Sequence, residues 1–231
     1  MEQTERQEKV CVDALTVRRT ADARALYEAL GRDGLWALDH EQFPLDVLAG
    51  GPRALGAFGP DGALLAVCAL VEPASVLPQA RAMAAGLRGL PGPALLGLPA
   101  AFLPGEDGLR GLAALGGRLA AGGCAAALAV KPCLAGAGAG PLGALLDAGL
   151  VLCRVRPLLS LRPHYLFLPP EAGAVQNSGK GRIMVPYEDT RALGRHLEAG
   201  CRCVGHRADQ GRAQLILTRG EEENAADRTI G

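Results

Sequence analysis

Three glycines near the middle of the chain have the spacing of a nucleotide-binding loop. They form a G-x-G-x-x-G motif: Gly138, Gly140 and Gly143. In a dinucleotide-binding turn the first glycine follows the strand directly, and an acidic residue about twenty positions later holds the ribose. Here the strand is predicted to end near Val130, about seven residues before the motif, and no acidic residue follows Asp147 until Glu171. We therefore interpret these glycines as a loop that leads into a helix starting at Pro141.

A second set of chemistry-bearing residues lies closer to the C-terminus. It comprises two thiols and two imidazoles: Cys201, Cys203, His206 and His196. The C-x-C spacing puts both thiols on one face of a strand, and thiolates and imidazoles are ligands that zinc prefers. Paired C-x-x-C knuckles are absent, so the sequence predicts no metal, and a zinc site on these four residues stays as the alternative.

Composition and charge exclude several classes of function. The 231 residues contain 24 Lys and Arg against 24 Asp and Glu, so no basic surface for nucleic acid is expected. The longest uncharged apolar run, residues 132–146, is shorter than the roughly twenty residues of a membrane helix. Seven cysteines, an odd number, are not expected to form a disulfide framework, and the charged N-terminus is not predicted to be a signal peptide. A cytoplasmic protein without membrane partners is predicted.

Apolar periodicity and turn signals predict an α/β fold. Strands are expected at 14–19, 54–58, 64–71, 95–103, 124–130, 150–156 and 158–168, and helices at 21–30, 43–48, 108–121 and 141–146. Pro99 weakens the strand prediction for 95–103. Residues 1–13 are predicted to be a flexible tail, 14–170 the main domain, 171–219 an αββ extension, and 220–231 a disordered tail.

The order of these elements resembles that of the GNAT (N-acetyltransferase-like) acyltransferase superfamily. Three stretches carry most of the resemblance, which covers about residues 14–168: LTVRRTADARALYEAL, AFGPDGALLAVCALV and GLRGLAALGGRLAAGGCAAALAVKP. The resemblance implies a mixed, mostly antiparallel sheet flanked by helices. It also implies transfer of an acyl group from acetyl-CoA or another acyl-CoA to an amine of a small molecule or protein.

In that family the thioester lies where the strand before the long helix splays from the strand after it. The pyrophosphate meets backbone amides at the N-terminus of that helix. The resemblance assigns cofactor binding to five residues: Phe102, Leu103, Gly105, Gly108 and Gly111. Asp107 stands where the family has Arg or Gln, and the acidic pair Glu106 and Asp107 would repel a phosphate. A second register, residues 79–84, fits the loop motif better but leaves one strand and one helix too many downstream.

The resemblance also points to Tyr165 and His164 as catalytic candidates on the last strand of the domain. A regular strand directs these neighbours to opposite faces, so a packed tyrosine and an exposed histidine are the alternative roles. Leu145 occupies the place of the tyrosine that often protonates the leaving thiolate in the family. A catalytically degenerate binding or assembly module is therefore the second hypothesis. The apolar residues 214–217 are suited to pairing across a homodimer edge.

Overall fold

The computed structural model describes residues 10–15, 35–36, 53–71, 95–129, 140–157, 163–170, 181–209 and 212–219. These residues form an α/β fold in which helices flank one open, mostly antiparallel sheet of eleven strands. The strands are β1 (Cys11–Leu15), β2 (Leu35–Trp36), β3 (Arg53–Phe58), β4 (Leu64–Val71), β5 (Leu96–Phe102), β6 (Ala125–Ala129), β7 (Val151–Pro157), β8 (Pro163–Leu168), β9 (Ile183–Pro186), β10 (Cys201–Asp209) and β11 (Arg212–Arg219). The helices are α1 (Gly105–Ala121), α2 (Gly140–Asp147) and α3 (Thr190–Glu198).

The strand order departs from the chain order at the centre and at the C-terminal end of the sheet. Along the main path the order is β1-β3-β4-β5-β6-β8-β7-β10-β11-β9, and β2 pairs with β5 outside this path. Among the described strands, β5 and β6 form the one parallel pair, and every other pairing is antiparallel. The predicted α/β class with a mostly antiparallel sheet is confirmed.

Local sequence signals located most of these elements. The strands predicted at 54–58 and 64–71 form the antiparallel hairpin of β3 and β4, and its turn is closed by a hydrogen bond from the Gly59 amide to the Ala63 carbonyl at 2.8 Å. Strand β5 tolerates Pro99 because a bulge interrupts its pairing with β4 beside that residue. Strand β1 begins at Cys11, three residues before the predicted start. The predicted helices at 21–30 and 43–48 lie outside the described residues.

The core lies between the sheet and one face of α1 and α2. Leu112, Leu115 and Leu119 of α1 recur at helical spacing and are buried against the sheet. Gly111 lets the helix approach β4, because a Cβ at this glycine would lie 2.7 Å from the Cβ of Leu65. None of the described helices is long and apolar enough to cross a lipid bilayer.

The C-terminal half of the sheet is built from two copies of one strand-helix-strand-strand unit. The first unit is β6-α2-β7-β8 and the second is β9-α3-β10-β11. In each unit the third strand lies between the first and the second. The end of each helix and the two residues after it have related sequences, LGALLDAG at 142–149 and LGRHLEAG at 193–200, and both segments end on a glycine with a left-handed backbone conformation. The predicted αββ extension, residues 171–219, therefore also contains a strand before its helix, β9, that was not predicted.

The two units face each other across β7 and β10. When Gly149 is aligned with Gly200, Leu152 matches Cys203, and these two residues are the ones that pair across the two strands. In both hairpins the register shifts directly after this pairing residue. Helix α2 packs against β10, and α3 packs against β7. Because contacts are reciprocal in this way, the units are related by an approximate two-fold axis.

The prediction that residues 214–217 form an open sheet edge is wrong. Residues 214–217 lie in β11, which pairs with β10 on one side and with β9 on the other. Strand β9 therefore takes the outer position, and no edge of β11 is open at these residues.

Candidate functional site

The strands before and after α1 diverge and open a cleft in the centre of the sheet. Strand β5 pairs with β6 at two positions only, Leu96 with Ala125 and Gly97 with Ala126. Beyond these positions β5 continues to Phe102 without a partner residue in β6. On its other side, β6 pairs with β8 over residues 126–129. The side of β5 that faces β6 is therefore left without β6 as a partner after Gly97. We call the space between the two strands the β5–β6 cleft.

Strand β2 covers part of this open side of β5. Leu35 pairs with Phe102 and Trp36 with Ala101, and the same two residues of β5 also pair with β4. A strand has two sides available for backbone pairing, so β2 lies on the side that faces β6. The backbone at the outer end of the β5–β6 cleft is consequently paired with another segment of the chain, a feature that the sequence did not predict.

The N-terminus of α1 directly follows the end of β5. The helix begins at Gly105, and Pro104 at the N-cap provides no side-chain hydrogen bond. Such a helix end presents backbone N–H groups and a partial positive charge, which together suit an anion. Glu106 and Asp107 in the first turn oppose an anion, but Arg110 forms an ion pair with Asp107 at 2.6 Å and offsets one of the two charges.

The three predicted cofactor-binding glycines have different roles at this helix end. Gly105 is exposed with a φ of +79°, and nothing lies within 4 Å of a Cβ placed there, so the backbone is accessible. At Gly108 a Cβ would lie 1.7 Å from the carbonyl oxygen of Leu103. Gly111 faces β4 in the same way. Gly108 and Gly111 are thus required for close packing of α1. Of the three predicted cofactor-binding glycines, only Gly105 has open space beside its Cα.

The two other predicted cofactor contacts lie at the end of β5. Phe102 is buried with its side chain in the hydrophobic core. The amide of Leu103 donates to the carbonyl oxygen of Leu65 at 2.9 Å. Neither the Phe102 side chain nor the Leu103 amide is therefore available to a bound molecule, and a ligand at this point would meet backbone groups of β5.

The predicted catalytic pair lies on β8, one strand away from the cleft. Tyr165 pairs with Leu128 of β6, and His164 pairs with Ala129. The packed tyrosine is confirmed, because Tyr165 is 1 % exposed and belongs to the core. The exposed histidine is wrong: His164 is also 1 % exposed, since both faces of the central strands are covered. The structure brings both residues together but does not bring them to the β5–β6 cleft.

Residues of α2 are structural. Leu145 is fully buried, and its side chain packs against α1 at Gly116. Of the three motif glycines, Gly140 begins α2 and Gly143 is buried within it, while Gly138 lies outside the described residues. The positions of Gly140 and Gly143 agree with the interpretation that the glycine motif leads into a helix. The alternative phosphate-loop register at 79–84 also lies outside the described part of the chain.

The alternative zinc ligands are not assembled. Within the described residues, no three His, Cys, Asp or Glu side chains lie together in a way that could hold a metal ion. Cys201 and Cys203 are buried in β10, whereas the Nε2 atom of His206 lies 3.0 Å from Oδ1 of Asp147. Burial raises the pKa of the Cys203 thiol to about 11, and burial likewise raises the pKa of the Cys124 thiol. Neither thiol is therefore activated as a nucleophile.

Comparison of the chain with family models, with curated proteins and with solved structures gives no match. Function is therefore inferred from geometry. Sequence reasoning missed β2, β9 and the two-fold repeat. The repeat had a detectable signal, because LGALLDAG and LGRHLEAG are identical at five of eight positions. Strand β2 had none, since two residues are too few for a periodic pattern.

Proposed function

We propose that this chain is an acyl-CoA-dependent N-acyltransferase of the GNAT type, with acetyl-CoA or another acyl-CoA as donor and an amine of a small molecule or protein as acceptor. The observation that supports the proposal most is the parallel pair β5/β6, which is paired at two positions only and separates after Gly97, in the strand that leads to the N-terminus of α1 at Gly105. That arrangement provides a backbone edge for an extended acyl-pantetheine arm and an anion site for its pyrophosphate. We also propose a reducing cytosol as the setting, since the described cysteines are all thiols.

In this proposal the chain contributes mainly binding and orientation. The side of β5 between Gly97 and Ala101 holds the thioester arm by backbone hydrogen bonds, and Gly105 gives the pyrophosphate access to the helix end. Proton transfer is assigned to water, because Tyr165 and His164 are buried on β8 with β6 between them and the cleft. The rate enhancement then comes from holding amine and thioester together.

Calorimetric titration of the full chain with acetyl-CoA tests the proposal, and the acidic first turn of α1 supplies the diagnostic variants. Glu106→Gln removes a charge that opposes the pyrophosphate. Asp107→Asn removes a second charge and releases Arg110 toward the ligand. A charge at a helix end contributes about 0.3–1 kcal/mol, so each variant should bind acetyl-CoA about two to five times more tightly. Glu188→Gln, at an exposed acidic residue next to α3, is the matched control and should leave the affinity unchanged.

Two results would contradict the proposal. The first is an absence of any binding of acetyl-CoA at millimolar concentration by the wild type and both helix variants. The second is an equal change of affinity in Glu188→Gln and in the two α1 variants, because it would mean that the ligand responds to net charge and not to the helix end. Binding without turnover of any amine would remove the transferase activity and leave a binding protein.

The position of β2 favours a second candidate function, a catalytically degenerate GNAT-fold binding or assembly module. In that case the chain itself permanently satisfies the open side of β5 at Ala101 and Phe102. Proline substitution in β2 separates the two candidates, because proline removes a backbone donor and disfavours strand pairing. If β2 only competes with acyl-CoA, Leu35→Pro or Trp36→Pro should tighten the binding of acetyl-CoA. If both proline variants remain folded and do not bind acetyl-CoA, the module is the better description.

A further inference from the structure

Strand β9 lies at the outer end of the C-terminal half of the sheet. Among the described strands, β9 pairs with β11 alone. The repeat shows what takes the other side in the first unit, because β9 corresponds to β6, which pairs with β8 on one side and with β5 on the other. Within the described part of the chain, the second unit therefore has no strand at the position that β5 takes beside β6.

The backbone groups on the outer side of β9 follow from one hydrogen bond. The Tyr187 amide donates to the Ala213 carbonyl oxygen of β11 at 3.0 Å. Because successive strand residues direct their N–H and C=O groups to alternate sides, the odd-numbered residues of β9 face β11 and the even-numbered ones face outward. Pro186, which has no N–H, occupies an outward position, as prolines of edge strands do. Met184 thus presents both an N–H and a C=O at the centre of the outer side.

The charges around β9 suit pairing with a second copy of the same strand. Arg182 directly precedes β9 and Glu188 follows it, and both side chains are exposed. When two copies of β9 are placed antiparallel with Met184 opposite Met184, Arg182 of each copy lies opposite Pro186 of the other, next to Glu188. Opposite charges then meet twice, whereas a parallel arrangement would bring like charges together.

We propose that two copies of this chain pair through β9 and form a two-fold dimer with one continuous sheet. The two Met184 residues exchange two backbone hydrogen bonds. The half-buried Ile183 of each copy lies opposite Val185 of the other, and such apolar cross-strand pairs add stability. The ladder ends at Pro186, whose carbonyl oxygen already accepts from the Asp189 amide at 3.0 Å. Because the contact is isologous, assembly stops at two chains.

The contact is small and distant from the β5–β6 cleft. Strand β9 has four residues, so the interface belongs to the weak class, and half of the dimer should dissociate at about 10–100 µM. Along the sheet, β6, β8, β7, β10 and β11 separate β9 from β5, roughly 29 Å at the usual strand spacing. The dimer is therefore independent of the proposed acyl transfer.

Sedimentation equilibrium of the full chain between about 5 and 500 µM tests the proposal, and the mass should rise from that of one chain to that of two. Met184→Pro removes the outward N–H without removing a hydrogen bond to β11, so it should raise the dissociation constant at least about tenfold. Arg182→Glu and Glu188→Arg should each raise it at least about threefold. The double variant Arg182→Glu/Glu188→Arg exchanges the charges and should restore the wild-type value within about threefold.

Arg195→Glu, at an exposed position of α3, is the matched control for net charge and should leave the dissociation constant unchanged. An effect of this variant equal to that of Arg182→Glu would overturn the proposed charge pairing. A wild type that stays monomeric at about 500 µM would overturn the dimer itself. So would a mass above that of two chains, because β9 would then pair with another edge, such as β1. If Met184→Pro does not fold, failure of the double variant to regain the dimer overturns the proposal in the same way.

Discussion

Alanine substitutions at two glycines of the same helix should have opposite effects on stability. Gly108 and Gly117 both lie within α1 and both have helical backbone conformations. Alanine is favoured over glycine in a helix by about 1 kcal/mol, so helix propensity alone predicts that both substitutions stabilise the protein. The surroundings differ. A Cβ at Gly108 would lie 1.7 Å from the Leu103 carbonyl oxygen, whereas a Cβ at Gly117 has nothing within 4 Å.

The size of the Gly108 effect follows from this distance. A carbon and a carbonyl oxygen approach no closer than about 3 Å without repulsion, so α1 or the end of β5 must move by more than 1 Å to admit the methyl group. Overpacking costs about 1–3 kcal/mol, and an overlap of this size with backbone belongs in the upper part of that range, at about 2–3 kcal/mol, which exceeds the gain in propensity of about 1 kcal/mol. Since the obstacle is backbone and not a flexible side chain, rotation of a side chain cannot relieve it. We expect a net loss of about 1–2 kcal/mol for Gly108→Ala and a net gain of about 0.5–1 kcal/mol for Gly117→Ala.

Urea unfolding followed by circular dichroism measures both changes in the free energy of unfolding. The m-value should be unchanged in Gly117→Ala, so that its midpoint reports stability directly. A Gly108→Ala variant as stable as wild type would refute the reasoning, because it would mean that β5 and α1 are not in close contact at Leu103. Because the cleft ends at this contact, the same variant should also weaken binding of acetyl-CoA if the proposed function is correct.

Three further predictions concern the repeated units. Burial raises the pKa of Cys203 from 9.0 to about 11, so the folded state keeps the neutral thiol. The contribution of the neutral Cys203 thiol to the free energy of unfolding is fully present below pH 9. It is lost between about pH 9 and 11, by about 3 kcal/mol. Urea unfolding across this range should show a steeper decline of the free energy of unfolding for wild type than for Cys203→Ala. Gly149→Ala and Gly200→Ala should each lower the free energy of unfolding by about 1–2 kcal/mol, since φ is +89° and +84°; a loss at only one of the two glycines would argue against equivalent roles. His206→Ala should cost less than about 1 kcal/mol in urea unfolding, because the carboxylate of its partner is 69 % exposed; a loss well above about 1 kcal/mol would contradict this.

Local chemistry in the sequence was sufficient for many of the elements. Some patterns depend on only a few neighbouring residues and can be recognised without the tertiary structure. They include the turn at Gly59–Gly62, the leucine spacing of α1 and the segment before Gly200. Asp189 illustrates this, because its carboxylate accepts from the Ala192 amide at 2.8 Å and caps the start of α3, the helix of the predicted αββ extension.

The candidate site depended on contacts between distant parts of the chain. That β5 separates from β6 after Gly97, and that residues 35–36 pair with its open side, follows from the packing of whole strands. The burial of His164 follows in the same way from cover on both faces of β8.

By itself, the sequence determined the α/β class, the hairpins and the three described helices, because turn chemistry and apolar periodicity are local properties. The tertiary structure alone decided which strands became neighbours beyond the hairpins. It placed β2 at the cleft and β9 outside β11, because strand pairing and register are set by contacts far apart in the chain.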